Sequence, residues 1–291
     1  MSKVKLVDKE DIALIGGVSV SRRIKGDRNI KAYPQPKALV HIKSFDKVVL
    51  GSGIEEIDER DDLHYSIEGT VVDYLTRFVN GTPIEEAFHI PLLGVQALYE
   101  QENIDERMYA TELMAKIKKD LSDESIIAAC RLTRFDVCYR AGVGWYLDAA
   151  DDAHTTTPNN AAIHNIRLMV ERAKNFFDIY GPVVVDGPTF KGAYTPVIRW
   201  GDADFATEDT LWDFKTYKNE PNNRDTLQLF TYFVMGKHSD DERLKRLTKI
   251  GIYNPKFNIA YILDTSKITP AKFIEVEYKV IGYGTEYPTL D

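Results

Sequence analysis

The sequence predicts an α/β fold, of the α+β type, in which a mixed central sheet is flanked by helices. Three observations support this prediction. Apolar residues recur at every third or fourth position from Glu68 to about Tyr180, the period of amphipathic helices. After Gly181 the chain changes to short β-branched or aromatic runs separated by turn residues, which are typical of strands. A further helical pattern, Arg224 to Met235, falls between two of these runs and predicts a crossover connection.

The first 65 residues are predicted to form an N-terminal extension of short strands and loops. Glycine and proline punctuate this segment, and strand-like runs lie at Ala38–Ile42 and Lys47–Leu50. Between residues 21 and 50, eight basic residues stand against two acidic ones, which leaves this stretch locally basic. It is either an arm that contacts phosphates, with Arg22 and Arg23 as candidates, or an ordinary solvated surface.

Residues 66 to 291 are predicted to form the main domain, which has two parts and can be one compact unit with the extension. Residues 66 to 180 form a large helical insertion of about five segments, as judged from their apolar period. Residues 181 to 291 supply the central sheet. The strand-like runs of this second part are Val183–Val185, Tyr194–Phe205, Leu211–Tyr217, Lys249–Tyr253 and Ile259–Leu263.

Composition and charge exclude several classes of protein. A hydrophobic content of 44% with 28% charged residues excludes a disordered chain. The net charge of −8 argues against a protein that coats nucleic acid non-specifically. Without a bilayer-length apolar run or a secretory signal, we expect a cytoplasmic protein with no membrane partner. Cys130 and Cys138 are too few for an iron–sulfur cluster, and we expect both to be reduced core thiols.

The candidate catalytic residues lie in the stretch from Gly201 to Thr216, which has the pattern of a β-hairpin. A turn at its midpoint places Asp204 opposite Asp213 and Asp202 opposite Lys215. Because side chains alternate along a strand, these four polar residues are predicted to share one face. The opposite face is predicted to pack on the core through Ala203, Phe205, Trp212 and Phe214.

Two carboxylates opposed across a hairpin need a cation nearby. Their β-carbons are about 5 Å apart, and like charges at that separation destabilise a sheet. Mg²⁺ or Mn²⁺ suits hard carboxylate oxygens, and Lys215 adds a second positive charge. Such a site can hydrolyse a phosphodiester, with Lys215 orienting or deprotonating the water and stabilising the developing charge. The alternative is a solvated hairpin with cross-strand Asp–Lys pairs.

Two short motifs give the chain a family resemblance. Asp213-Phe-Lys215 has the form of a D/E-x-K element, and Gly201-Asp-Ala-Asp204 supplies the preceding acidic residue. Downstream, Gln228-Leu-Phe-Thr-Tyr232 has the form Q-x-x-x-Y. Together these elements resemble the PD-(D/E)xK nuclease superfamily and its RecB-like exonuclease branch. Their spacing puts Gln228 and Tyr232 on one helical face, either to hold water or a nucleotide or as a surface glutamine beside a core tyrosine.

An upstream helix extends the resemblance. Glu68-Gly-Thr-Val-Val-Asp73 is similar to the G-T-x-x-H helix that opens these nucleases, although aspartate stands at the histidine position. Aspartate is also a competent oxygen ligand, so Asp73 is either a further metal ligand or the partner of Arg77 in an ion pair. Glu68 is either a ligand too or an acidic residue that complements the helix dipole.

The resemblance implies a restriction-endonuclease-like core and a Mg²⁺- or Mn²⁺-dependent nuclease with a DNA substrate, commonly cut as an exonuclease. In this hypothesis the metal is held by Asp204, Asp213 and the carbonyl of Phe214, and Lys218 and Arg224 contact phosphates. Two alternatives remain open. One is a DNA-binding module of the same fold that has lost turnover. The other is a metal-dependent hydrolase of another substrate, which the acidic net charge favours.

Overall fold

A six-stranded mixed sheet forms the centre of the protein in the computed structural model, which describes residues 17–26, 39–51, 56–149 and 152–284. The strands are β1 (Val18–Ser19), β2 (Asp46–Val49), β3 (Val185–Asp186), β4 (Ile198–Trp200), β5 (Phe205–Ala206), β6 (Thr210–Phe214), β7 (Lys249–Asn254) and β8 (Ile259–Asp264). Their order across the central sheet is β2-β8-β7-β6-β5-β3, whereas β1 and β4 form a separate parallel pair. The prediction of a mixed sheet flanked by helices is confirmed.

The strands β6 and β7 are parallel, and all other neighbours in the central sheet are antiparallel. The predicted crossover is confirmed, because a helix over residues 223–238 connects these two strands. Two strand predictions are wrong. Ile42 begins a 3₁₀ turn, while Ala38 lies outside the described residues. The run Tyr194–Phe205 divides between β4 and β5, which belong to different sheets.

Helices make up more of the chain than strands do, and residues 65–180 contain eight of them within the described ranges, not five. The extra boundaries fall at short interruptions that the apolar period does not reveal. The helices are α1 (Val20–Lys25), α2 (Tyr65–Val79), α3 (Ile84–Ala87), α4 (His89–Tyr99), α5 (Ile104–Lys116), α6 (Asp123–Thr133), α7 (Asp136–Arg140), α8 (Val143–Leu147), α9 (Asn160–Tyr180), α10 (Asn223–His238), α11 (Glu242–Arg246) and α12 (Pro270–Glu275), followed by a π-helical turn, Val276–Ile281.

The central sheet is covered on both faces. On one face Leu211, Ile250 and Ile252 pack against α10 in a large apolar cluster. On the other face Trp212 and Tyr253 pack around Phe176 of α9, with ring centroids 4.7 and 4.2 Å from that of Phe176. Such aromatic pairs contribute about 0.5–1.5 kcal/mol each beyond their buried area. Alternate residues of β6 therefore point to α10 and to α9, and this alternation decides which residues reach the candidate site.

The helical part has its own apolar cluster, which α9 connects to the sheet. Ile163, Ile166 and Met169, in the first half of α9, pack with α2, α4 and α6, whereas Phe176 in its last two turns packs on β6 and β7. The long helix therefore fixes α2 relative to the sheet. Both cysteines are buried and unpaired. None of the helices in the described part of the chain is long and apolar enough to span a bilayer.

Candidate active site

The hairpin formed by β5 and β6 brings Asp204 to the end of β6. Phe205 pairs with Trp212 and Ala206 with Leu211, so the predicted register is confirmed. Asp204 immediately precedes β5, and its Oδ2 accepts a hydrogen bond of 2.5 Å from the backbone N–H of Phe214. Since the N–H and C=O of one strand residue point to the same side, the carbonyl of Phe214 also faces the Asp204 side.

Two details of the predicted hairpin are wrong. Asp202 forms an isolated bridge with Thr189 and does not pair with Lys215, whose backbone N–H continues the parallel ladder to Tyr253. Ala203 packs in the cluster on the α10 side and not with Phe205. The reason is that β5 is only two residues long, so strict alternation does not extend back through the bend at Asp204.

Asp213 and Lys215 form a buried ion pair at the end of β6. Nζ of Lys215 lies 2.6 Å from Oδ2 of Asp213, and the two side chains are 19% and 5% exposed. The ammonium group of Lys215 is thus the close partner of the buried Oδ2 of Asp213. Asp213 shares its sheet face with Leu211, so its carboxylate lies under α10.

The three side chains shift one another's pKa. Burial raises the pKa of Asp204 well above its usual range, and the charge of Asp213 raises it further. Burial also raises the pKa of Asp213, although Lys215 opposes this shift. For Lys215, burial alone would lower the pKa, but the charges of Asp213 and Asp204 outweigh it and raise the pKa. Burial thus disfavours the ionised form of both carboxyl groups, while a carboxylate that does ionise here stabilises the protonated form of Lys215.

Helix α10 adds an amide and a phenol to this site. Nε2 of Gln228 donates hydrogen bonds to the hydroxyl of Tyr232, at 3.1 Å, and to Oγ of Ser21 in α1, at 2.9 Å. Gln228 and Tyr232 are 8% and 3% exposed, so the glutamine is not a surface residue. The charge of Asp213 contributes to the raised pKa of Tyr232, after burial as the main cause.

Helix α2 approaches the end of β6 closely. A β-carbon on Gly69 would lie 2.5 Å from Oγ1 of Thr216, so only glycine lets the helix pack at this distance. Asp73, one turn further on, is half-buried, and its charge raises the pKa of Asp204. Burial in turn raises the pKa of Asp73 to about 6, while Arg77 opposes the shift. Arg77 is bonded to Asp186, at 2.8 Å.

Glu68 points to a different place. It is 1% exposed, and its Oε2 lies 2.6 Å from Nζ of Lys256, which is 6% exposed. Burial raises the pKa of Glu68 to about 7, although Lys256 opposes the shift. The charges with the largest effects on the pKa of Asp204 and Asp213 come from other residues. Glu68 therefore belongs to a neighbouring group of residues and not to the carboxyl cluster of Asp204.

The candidate phosphate-binding residues differ in their accessibility. Lys218 and Arg224 are exposed on either side of the turn that leads from β6 into α10. Arg22 is half-buried in α1. Arg23 is 5% exposed and donates to the backbone carbonyls of Lys279 and Val280. Its guanidinium group ties α1 to the C-terminal segment, so we leave it out of any DNA-contacting surface.

Two further residues, one on α10 and one on α1, act on the site through their charges. Asp225 caps α10 through a capping box with Asn222, and its charge also acts on Lys215 and Asp213. Lys25 of α1 lowers the pKa of Asp213 by its charge, after the larger effects of burial, Lys215 and Asp225. The capping pattern N-x-x-D was visible in the sequence, but the approach of Lys25 depends on long-range packing.

The donor set fits a small divalent cation. Within the described residues, no three or more His, Cys, Asp and Glu side chains are grouped as a metal site. Mg²⁺, however, is usually bound through one or two carboxylates, with water and substrate phosphates completing the shell. Asp204 and Asp213 supply that number, and both are carboxylates of the kind that binds hard divalent cations.

Comparison with protein-family models finds no matching family, and comparisons with curated proteins and with solved structures find no significant match. The resemblance to the PD-(D/E)xK nucleases therefore rests on the short sequence motifs around Asp204, Asp213, Lys215 and Gln228.

Proposed function

We propose that the protein is a metal-dependent deoxyribonuclease that hydrolyses DNA phosphodiester bonds. The observation that supports this most strongly is the group formed by Asp204, Asp213 and Lys215 at the end of β6. Two buried carboxyl groups and one ammonium group are costly to bring together unless the site binds a charged ligand. The mixed sheet with a helix on each face is compatible with a restriction-endonuclease-like core.

Asp204 and Asp213 would hold Mg²⁺ or Mn²⁺, together with the carbonyl of Phe214. A cation bound there supplies a Lewis acid that lowers the pKa of a water molecule and offsets phosphate charge. The hydrogen bond from Phe214 N–H to Oδ2 of Asp204 keeps this carboxylate oriented, so its other oxygen is available. Asp73 is a further carboxylate near Asp204 and adds negative charge to the same site.

Lys215 acts as a hydrogen-bond donor and as a positive charge. Its raised pKa means that the ammonium group carries its proton at neutral pH, which argues against its being the base that deprotonates water. An ammonium group next to the scissile phosphate stabilises the negative charge that develops on the phosphate oxygens. Of the two roles expected from the sequence, orientation with charge stabilisation is the one that this environment favours.

Gln228 and Tyr232 orient groups around the reacting phosphate. The Tyr232 hydroxyl accepts from Nε2 of Gln228, which leaves Oε1 of the amide to accept from water or a nucleotide. Ser21 fixes the same amide from α1. Lys218 and Arg224, both exposed beside the site, contact the phosphates of the bound strand. By its resemblance to the RecB-like branch, the enzyme degrades DNA from its ends.

The proposal is tested by digestion of linear and circular DNA with Mg²⁺ or Mn²⁺. We expect linear DNA to be degraded, circular DNA to persist and a chelator to stop the reaction. Asp213→Ala and Lys215→Ala should each lower the rate by about 100-fold or more, the scale on which transition-state stabilising groups act. Asp178→Ala is the matched control, because Asp178 is exposed on α9 and is not one of the proposed site residues.

Three other outcomes would contradict parts of the proposal. Unchanged cleavage by both variants would remove the mechanism. Tight binding of DNA without any cleavage by the wild type would favour an inactive binding module. Metal-dependent hydrolysis of a small phosphodiester, with no activity on DNA and no salt-dependent DNA binding, would indicate another substrate class.

A further inference from the structure

A cavity of about 500 Å³ lies next to the candidate active site. It is bounded by the start of α2, by the residues that follow Lys215, and by the loop before α2. Its volume is within the range of about 300–1,000 Å³ that is typical of small-ligand sites. Its wall includes Tyr65, Glu68, Thr216, Tyr217, Lys218 and Lys256. Thr216 directly follows Lys215, so this cavity begins one residue along the chain from the proposed catalytic lysine.

The wall of this cavity presents an unused acceptor beside a donor. Oε1 of Glu68 is buried and has no hydrogen-bond partner, while Oε2 holds Nζ of Lys256 at 2.6 Å. An ammonium group has three donors, so Lys256 retains others for a ligand. The neighbouring carboxylate of Asp61 accepts from Leu63 N–H at 2.8 Å and from Asn165 at 3.0 Å, and it also lies close enough to Glu68 to raise the pKa of that residue.

A donor beside an acceptor matches the Watson–Crick edge of a nucleobase. Each base carries an N–H donor next to an acceptor on that edge, and in a duplex both are used by the complementary strand. A burial cost of about 1–3 kcal/mol for an unmatched polar atom makes the unpaired Oε1 of Glu68 unfavourable until a ligand donates to it. The cavity thus fits a base that has been released from its partner.

The same cavity has an aromatic side and an exposed positive charge. Tyr65 is 69% exposed, and its ring centroid lies 4.3 Å from that of His64. Exposed aromatic rings of this kind serve as stacking platforms for unpaired bases. Lys218 is also exposed along the wall, where it can contact the phosphate that follows the base.

We infer that this cavity binds an unpaired nucleobase of the DNA strand, next to the phosphate that is cut. The inference rests on the proposed nuclease function and deepens it. It names as substrate a single strand, or a duplex end whose terminal base has been separated. Glu68 and Lys256 contact the base edge, Tyr65 stacks on its face, and Lys218 contacts the adjoining phosphate.

The experiment uses oligonucleotides with 2-aminopurine at successive positions from each end, bound to the Lys215→Ala protein with Mg²⁺. Fluorescence should be quenched by stacking at one position. In the same background, Tyr65→Ala should weaken binding by about fivefold or more, which corresponds to the lower limit of base stacking. Glu68→Gln should also weaken binding of the oligonucleotide. The glutamine NH₂ group can take the place of the carboxylate oxygen that accepts from the N–H of the base. Tyr139→Ala, another exposed tyrosine, should have no effect.

The second measurement uses wild-type protein and single strands with an abasic nucleotide at each position in turn. One position should lower the cleavage rate by about fivefold or more, and it should be the one where 2-aminopurine is quenched. Uniform cleavage at all positions, together with unquenched binding, would overturn the base site while the nuclease function stands. If the wild type cuts no DNA with Mg²⁺ or Mn²⁺, the nuclease function fails first, and this inference with it.

Discussion

Replacement of Asp204 by asparagine should stabilise the metal-free protein while removing its response to metal. In the wild type, burial and the charge of Asp213 both disfavour the ionised form of Asp204. Asparagine has nearly the same shape, its carbonyl oxygen can still accept from Phe214 N–H, and it carries no charge to repel Asp213. The substitution therefore removes a repulsion without leaving a cavity or losing the hydrogen bond.

The sign and the pH dependence of the effect follow from proton linkage. A carboxyl group whose pKa is raised in the folded state binds its proton more tightly there than in the unfolded chain. The tighter binding of this proton stabilises the folded state at low pH. That stabilisation is lost as the pH rises from the pKa of the group in the unfolded chain through its raised pKa in the folded protein. We therefore expect Asp204→Asn to be more stable than the wild type at pH 8, by about 0.5–2 kcal/mol, the usual range for a single stabilising substitution. The difference should shrink toward pH 4.

The assay is urea unfolding of both proteins at pH 8, with chelator and with Mn²⁺. Metal that binds only the folded wild type adds about 2.7 kcal/mol at 100 times its dissociation constant, which should offset or reverse the order of stability. Asp202→Asn is the control and should differ from the wild type by less than about 0.5 kcal/mol, because Asp202 is exposed. A variant less stable than wild type in chelator, or a wild type indifferent to Mn²⁺, would refute this reasoning.

Two further predictions concern the approach of α2 and the protons at the site. Gly69→Ala should destabilise the protein by about 1–2 kcal/mol and slow cleavage, because its β-carbon would lie 2.5 Å from Oγ1 of Thr216. Adding Thr216→Ala to Gly69→Ala should restore both stability and cleavage. Gly144→Ala is the control and should be neutral or stabilising, because a β-carbon there meets nothing within 4 Å. If Gly69→Ala has the same effect with threonine and with alanine at position 216, the close approach of α2 is contradicted. Calorimetric titration with Mn²⁺ at pH 7, in buffers of different ionisation enthalpy, should show net proton release. The metal displaces protons from Asp204 and Asp213, whose pKa values are raised. Binding without proton exchange would contradict those shifts.

The hairpin of β5 and β6 and the helix that follows it were predictable because local rules determine both. A symmetric turn fixes which residues of β5 and β6 face each other, and the observed pairing of Phe205 with Trp212 follows that rule. Likewise, α10 follows the capping box of Asn222 and Asp225, and a spacing of four brings Gln228 onto Tyr232. The rule failed for Asp202, because the short β5 ends before that residue.

The rest of the site depends on contacts between distant parts of the chain. Glu68 and Lys256 are separated by 188 residues, and neither has a motif that predicts their pairing. Ser21 reaches Gln228 across 207 residues because a segment expected to form strands and loops contains the short helix α1. The apolar period also missed the helix boundaries between α3 and α8, since short helices in a buried bundle follow no single amphipathic stripe.

The central claim is that Asp204 and Asp213 together hold one divalent cation. The most direct measurement is Mn²⁺ binding followed by electron paramagnetic resonance, with free Mn²⁺ counted during titration of the wild type, Asp204→Asn and Asp213→Asn. The wild type should bind Mn²⁺ at a site that both variants lose, with the folded structure unchanged by circular dichroism. Equal binding of Mn²⁺ by the wild type and both variants would contradict the claim.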